Sequence, residues 1–302
     1  MPEAKNRNVI GIGEVLWDCF PDQRRPGGAP ANVAYHAQQL GCNAAVCSRV
    51  GNDNAGRELA EYLREHGLRT DLLQTDDDRP TGYVTVDVSV PKSPSYIIHE
   101  NVAWDAIAFD RALEDAAADA AAVCFGTLAQ RTETSRETIR RTLAAARDAL
   151  VIYDVNLRQT WYQRDWVEQS MRAAHLIKLN GDEVEVLAGL LDVGDTDPAR
   201  FATAMRERYA VETTCVTRGA RGCMVFTANE TVEVAGVQVE VMDTVGAGDS
   251  FTGALTANLL RGWPMQRAAT FANRVGALVA ARSGAMPDIG AELQALIDEF
   301  EG

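Results

Sequence analysis

Residues 243–251 read DTVGAGDSF, so Gly246, Ala247 and Gly248 stand directly before an acid, Asp249, and the apolar run Phe251 to Leu260 follows. Glycines at 246 and 248 permit backbone angles that a side chain would forbid. They also bare consecutive N–H groups where a helix begins, which makes a seat for an anion. An aspartate ahead of an apolar helix is commonly an N-cap. A cap needs neither glycine, however, and an acid beside an anion seat is electrostatically costly unless it acts on what binds there. The stretch therefore points to catalysis on an anionic ligand, with the helix dipole favouring the ionised form of Asp249.

Five further stretches carry groups that such chemistry could use. GGAPANVAYHAQQLG opens at residue 27; Gly27 and Gly28 let a ligand approach the backbone, Pro30 suits a first helical turn, and Asn32 offers a donor and an acceptor to a polyol. A plain turn into a helix explains the same residues. Asp18 in LWDCFP binds a pair of hydroxyls or ties a turn. Asn180 and Glu183 in IKLNGDEVEVLAG have the N-x-x-E spacing of a capping box, which structure explains as well as function does. Arg158 in DVNLRQTWY and Arg218 in VTRGARG follow apolar strands, where a guanidinium can grip phosphate oxygens by paired hydrogen bonds. Two familiar phosphate motifs are excluded. No G-x-x-x-x-G-K-[ST] occurs, and GIGEVL at Gly11 and Gly13 lacks the third glycine of the dinucleotide fingerprint. The histidines His36, His66, His99 and His175 are scattered and receive no role.

The bulk numbers narrow the partners. A net charge of −14 repels nucleic acid and anionic membrane surfaces. A phosphate ligand would then need backbone dipoles, a few arginines and a bound cation to overcome that field. Lysine is scarce, occurring only as Lys5, Lys92 and Lys178. No run reaches the length of a membrane span and the start lacks a signal-peptide core, so the expected compartment is the cytoplasm. The 6 cysteines show no C-x-x-C pair, which indicates neither disulfides nor zinc.

Short β-branched runs alternate with stretches of helical period, from NVIGIGEVLWD through Ala31–Leu40, AAVCSRVG and Ala55–His66 to AAVCFGT, Thr134–Asp148, LVIYDVN and LIKLN. That alternation predicts a mostly parallel sheet with helices on both faces. Residues 81–99 break it with period two around a Pro/Ser turn, the pattern of a hairpin lid. A second hairpin is expected at TTCVTRGARGCMVF, and helices at Asp249–Arg261, Met265–Arg282 and Ala291–Phe300. The lid's strands, rich in Val, Tyr and Ile, could pair with the same segment of a second copy, giving a homodimer that shields both edges.

Taken in this order, the segments resemble the ribokinase-like, or PfkB-type, carbohydrate kinases from Gly11 to about Pro287. GGAPANVA is similar to the family's N-terminal signature and DTVGAGDSFTGAL to its C-terminal one, with KLNGDE and VTRGARG between them. GEVLWDCFP, PTGYVTVDV, YIIHENVAWD and DVNLRQTWY look most like the fructokinase branch. The resemblance implies a single three-layer α/β/α domain over residues 1–302, with a β lid built from about 14–26 and 80–103. It implies ATP-dependent phosphorylation of fructose at its 6-hydroxyl, with ribokinase, 2-keto-3-deoxygluconate kinase and nucleoside kinase as family alternatives. A non-catalytic sugar- or nucleotide-binding regulator is the alternative of another class.

Under that resemblance Asp249 is the base, and the N–H groups of Gly246, Ala247 and Gly248 form the anion hole. Asp18, Gly27, Gly28, Asn32 and Asn101 hold the sugar, and Arg158 faces the phosphates. Asn180 and Glu183 organise Mg²⁺-ATP through water, while Thr217, Arg218, Gly219, Gly222, Gly248 and Asn273 line the nucleotide site. A monovalent cation, potassium, is implied near Asp243 and Val245. A carboxylate with a pKa of about 4 cannot ionise an alcohol ahead of reaction, so proton transfer comes late and the acid chiefly orients its hydroxyl.

Overall fold

The computed structural model describes residues 6–87 and 95–301. Its strands are β1 (Asn8–Ile12), β2 (Leu16–Cys19), β3 (Arg24–Gly27), β4 (Asn43–Gly51), β5 (Leu73–Asp76), β6 (Tyr83–Asp87), β7 (Ser95–Ile98), β8 (Ala122–Phe125), β9 (Leu150–Asp154), β10 (Leu176–Asn180), β11 (Thr213–Thr217), β12 (Cys223–Phe226) and β13 (Thr231–Val234). The helices are α1 (Ala29–Gln39), α2 (Asn54–Glu65), α3 (Arg111–Ala118), α4 (Glu133–Ala145), α5 (Arg164–Ala173), α6 (Gly181–Leu190), α7 (Pro198–Tyr209), α8 (Ala247–Leu260), α9 (Met265–Ala280) and α10 (Gly290–Glu301).

Nine strands form one sheet in the order β13-β12-β11-β10-β9-β8-β1-β4-β5. It is parallel from β11 to β5, and β12 and β13 extend it antiparallel. The β11–β12 hairpin is the second one expected from the sequence. Successive side chains of a strand face opposite sides, so each central strand feeds two cores. Ile10, Ile12, Phe125, Tyr153 and Leu179 pack with Ile139, Met171, Leu187 and Phe201 on one face. Val9, Val46, Cys124, Ile152 and Cys215 pack with Val33, Phe251, Leu255 and Phe271 on the other. This is the ribokinase-like three-layer arrangement, in which α8 lies between α1 and α9.

A separate four-stranded sheet, β3-β2-β6-β7, is the lid. Along β6, Val84 and Val86 are buried while Tyr83 and Thr85 are exposed, the period-two pattern read from the sequence. The Pro/Ser turn of that hairpin, at 91–94, lies outside the described residues. Strand β2 follows β1 after three residues and β3 runs directly into α1, so the lid hangs from the same strand end that carries the site. The cysteines are free thiols, five of them buried. No helix of the described residues is long and apolar enough to cross a membrane.

Candidate active site

Open parallel sheets bind ligands beyond the carboxyl ends of their strands. Here β1 leads to Glu14, β9 to Asp154, Asn156 and Arg158, β10 to Lys178 and Asn180, and β11 to Thr217. These strand ends and the head of α8 surround one cavity of about 940 Å³.

Asp249 lies half-buried on the wall of that cavity. It is the third residue of α8, since the helix starts at Ala247 rather than at Asp249 as expected. The N-cap is Gly246 at φ 79, with no side-chain cap bond, which removes the capping reading of Asp249. A Cβ on Gly246 would lie 2.5 Å from Ala285 Cα, so only glycine fits there. The Ala247 N–H turns back to Thr244 O at 3.3 Å, and the first turn of a helix leaves the Gly248 and Asp249 amides without intrahelical acceptors.

The carboxylate of Asp249 accepts a 2.7 Å hydrogen bond on Oδ2 from Asn32 Nδ2. Its pKa is pushed up to about 6, chiefly by burial and next by the charge of Asp154, against Lys178, Asn32 and Arg158. The helix dipole was expected to favour the ionised form, but removal from water outweighs it. The group still remains mostly ionised at neutral pH. Asn32 thus gives one of its two N–H donors to the acid, and its Oδ1 has no partner and is free to accept from a ligand.

Behind the anion seat is a pair that sequence reading missed. Lys178 and Asp154 are register partners on β10 and β9, and Lys178 Nζ lies 3.0 Å from Asp154 Oδ1. Thr252 of α8 donates its hydroxyl to Asp154 Oδ2 at 2.7 Å. A Cβ on Gly248 would come within 2.9 Å of Lys178 Nζ, so the glycine makes room for the ammonium. Burial opposes that charge, but Asp154, Glu183 and Asp249 together hold the ammonium above its usual range. The signal available in the sequence was one charged residue in each of two apolar strands, at the end of LVIYD and in the middle of LIKLN.

Asp18, Gly28 and Arg158 also line the cavity. Burial pushes Asp18 up to about 6, opposed by Arg158. Glu14, unforeseen in the sequence, is pushed to about 7 by burial, and its Oε2 has no hydrogen-bond partner. Gly27 lies just off the wall, where a Cβ would meet Asp18 Oδ2 at 2.6 Å. Asn101 is exposed at φ 57 and does not reach the cavity.

On the other side stand Asn180, Thr217, Gly219, Gly222 and Asn273. The capping box is realised: Asn180 Oδ1 accepts from Glu183 N at 2.9 Å, and Glu183 Oε2 accepts from Asn180 N at 2.8 Å. Glu183 Oε1 accepts from Leu157 N at 2.9 Å, so this buried carboxylate stands behind the wall instead of on it. Arg218 turns away, with Nη2 2.9 Å from Glu233 Oε1. Its position after β11 brought it near a phosphate seat, but β13 supplies a closer anion.

Magnesium takes few protein ligands and keeps its waters and phosphates. Asn180 on the wall with the Glu183 charge behind it fits an ion carried in by the nucleotide, held through water. A potassium ion fits less well at Asp243 and Val245. Asp243 Oδ1 accepts from Val245 N at 3.0 Å, Oδ2 from Gly284 N at 3.1 Å, and Arg25 Nη1 lies 3.3 Å from Oδ2. An amide donor already faces each oxygen, and a fixed cation faces Oδ2 as well.

Residues 9–291 match a family model described as pfkB family carbohydrate kinase. Fructokinase-1 of Oryza sativa subsp. japonica is 28% identical over 320 residues, covering 97% of this chain and 98% of the relative. An uncharacterized sugar kinase from Pyrococcus horikoshii, solved in complex with ATP, has a TM-score of 0.79 at 28% identity over 92% of this chain and 94% of that one. A double mutant of fructokinase from Vibrio cholerae O395, solved with fructose, ADP and potassium ion, has a TM-score of 0.81 at 25% identity over 97% and 99%.

Proposed function

Because this chain belongs to the pfkB family of carbohydrate kinases, we propose that it transfers the γ-phosphoryl group of ATP to the 6-hydroxyl of fructose. One observation carries this reading: Asp249 and the glycines before it share a cavity with Asp18, Gly28 and Asn32 and with the glycine-bearing loop of Thr217, Gly219 and Gly222. The fructose of the Vibrio cholerae structure and the rice fructokinase support the choice of sugar.

Asp18, Gly28 and the Asn32 acceptor hold the sugar, and Asn32 keeps the Asp249 carboxylate in one orientation. As the phosphoryl group leaves ADP, the amides at the head of α8 and the Lys178 ammonium face its oxygens, where fixed dipoles and charges need no reorganisation. Arg158 balances the charge from the opposite wall. Asp249 takes the hydroxyl proton late, when the new bond has made that proton acidic. Thr217, Gly219, Gly222 and Asn273 bed the nucleotide. A divalent metal, which a kinase implies, supplies charge neutralisation on the phosphates.

The test is a panel of fructose, ribose, 2-keto-3-deoxygluconate and a nucleoside with ATP, scored by kcat/KM. Fructose is expected to rank first. A higher value for another acceptor replaces the sugar, and binding without ADP release from any of them would make the protein a non-catalytic binder.

We also propose that the lid pairs with that of a second copy. Tyr83, Tyr96 and Ile97 stand 37%, 44% and 55% exposed on it, and apolar strands near a sheet edge favour such pairing. Light scattering at micromolar concentration should report a dimer; a monomer would exclude it.

A further inference from the structure

Asp243 stands at the root of the loop that ends in the anion seat. Its bonds to Val245 N and Gly284 N tie the start of the loop to the segment against which Gly246 packs. Hydrogen bonds from neutral amides orient a carboxylate but leave its charge unbalanced. That balance comes from the lid. Arg25 of β3 reaches Asp243 with Nη1, and its guanidinium lies 5.0 Å from the centre of the Phe20 ring. The two side chains are 28% and 21% exposed, so water screens the pair only in part. Both line the cavity, and in β2–β3 register Arg25 is opposite Asp18.

The sequence led to the expectation of a monovalent cation at Asp243 and Val245. A potassium ion bound to this carboxylate would meet the guanidinium head-on, and both amides present hydrogens where the ion needs oxygens. Arg25 also has an advantage that a free ion lacks. It is covalently attached, so holding it at Asp243 costs side-chain entropy but no binding from solution.

We infer that Arg25 is a positioning residue that supplies from the chain itself the positive charge at Asp243, so the loop 243–248 is set without a monovalent cation. The inference rests on the sugar-kinase reading. It links the lid to the phosphoryl seat: β3 continues into Gly28 and α1, so the strand that helps cover the sugar also balances the anchor of the anion hole. An ordinary surface ion pair would contribute little to stability and would create no preference among cations. That difference makes the two roles separable.

The experiment measures kcat with ATP, Mg²⁺ and fructose in buffers of equal ionic strength made with potassium chloride or N-methylglucamine chloride. Melting temperature is read in the same buffers without substrates. Wild type should give the same rate and the same melting temperature in both. Arg25→Met should lose about tenfold in kcat without potassium, the rate equivalent of one partly buried ion pair, and regain it with potassium. Its melting temperature should rise with potassium but not with N-methylglucamine. Arg25→Lys, which keeps the charge, should stay insensitive to potassium. A wild-type enzyme activated severalfold by potassium would overturn the inference. So would an Arg25→Met protein whose rate and melting ignore the cation, or whose lost rate potassium fails to restore. Absence of sugar phosphorylation in every buffer would instead remove the sugar-kinase reading, while the melting arm would still judge Arg25.

Discussion

Replacing Asn32 by leucine removes one donor from the acid and keeps the space filled against water. Asn32 Nδ2 holds Asp249 Oδ2 at 2.7 Å, and the pKa of that carboxyl stands at about 6 with this bond in place. A hydrogen bond to a charged group contributes about 1.5–3 kcal/mol, which corresponds to roughly 1–2 pH units. The ionised form loses that support in Asn32→Leu, so the pKa rises and the acid limb of the rate profile moves up by roughly 1–2 pH units from its wild-type position. The assay is kcat against pH under saturating ATP and sugar, coupled to ADP release. Saturation keeps any weaker sugar binding out of the reading. Wild type should be near its plateau at pH 7, whereas the variant should recover much of its rate only on the alkaline side. A limb that stays in place, or shifts to lower pH, would refute the claim that Asn32 stabilises the working base.

Glu14→Gln should stabilise the protein selectively at high pH. The folded-state pKa of Glu14 is about 7, above its ordinary value, because burial disfavours the charge. The cost of ionising it is therefore complete above pH 7 and absent below its unfolded value, and removing it should add about 3 kcal/mol at pH 8 and little at pH 4. Denaturant melts at the two pH values check this; equal effects at both would contradict it. Lys178→Met strips Asp154 of its buried partner and should destabilise by about 3–5 kcal/mol, as breaking such a pair does. It should also raise the acid limb, since Lys178 lowers the pKa of Asp249; chemical melts and the pH profile read the two effects separately.

What could be read from the sequence was local. The head of α8, the capping box of Asn180 and Glu183 and the period-two strand β6 all show in contiguous residues, because backbone conformation and burial on one element dictate them. The Asp154–Lys178 pair could not be read that way. It depends on β9 and β10 being adjacent and in register, and one charged residue in a strand does not announce its neighbour. Asn32 and Asp249 are 217 positions apart, so nothing local showed that the residue assigned to a polyol gives one of its donors to the acid. Arg218 shows the converse error: its place after β11 suited a phosphate, but the direction of its side chain was set by Glu233 across the β12–β13 hairpin. Burial, which raises the pKa values of Glu14, Asp18 and Asp249, belongs to the assembled cavity and to no single motif.

The central claim is that Asp249 at the head of α8 serves the hydroxyl that receives the phosphoryl group. Turnover of Asp249→Asn with ATP and fructose tests it directly, because asparagine keeps the shape and the contact with Asn32 while losing the ability to take a proton. The account expects kcat to fall by about 10²–10⁴-fold, the usual worth of a positioned acid or base, with the melting temperature preserved. Turnover near that of the wild type in a folded protein would contradict it.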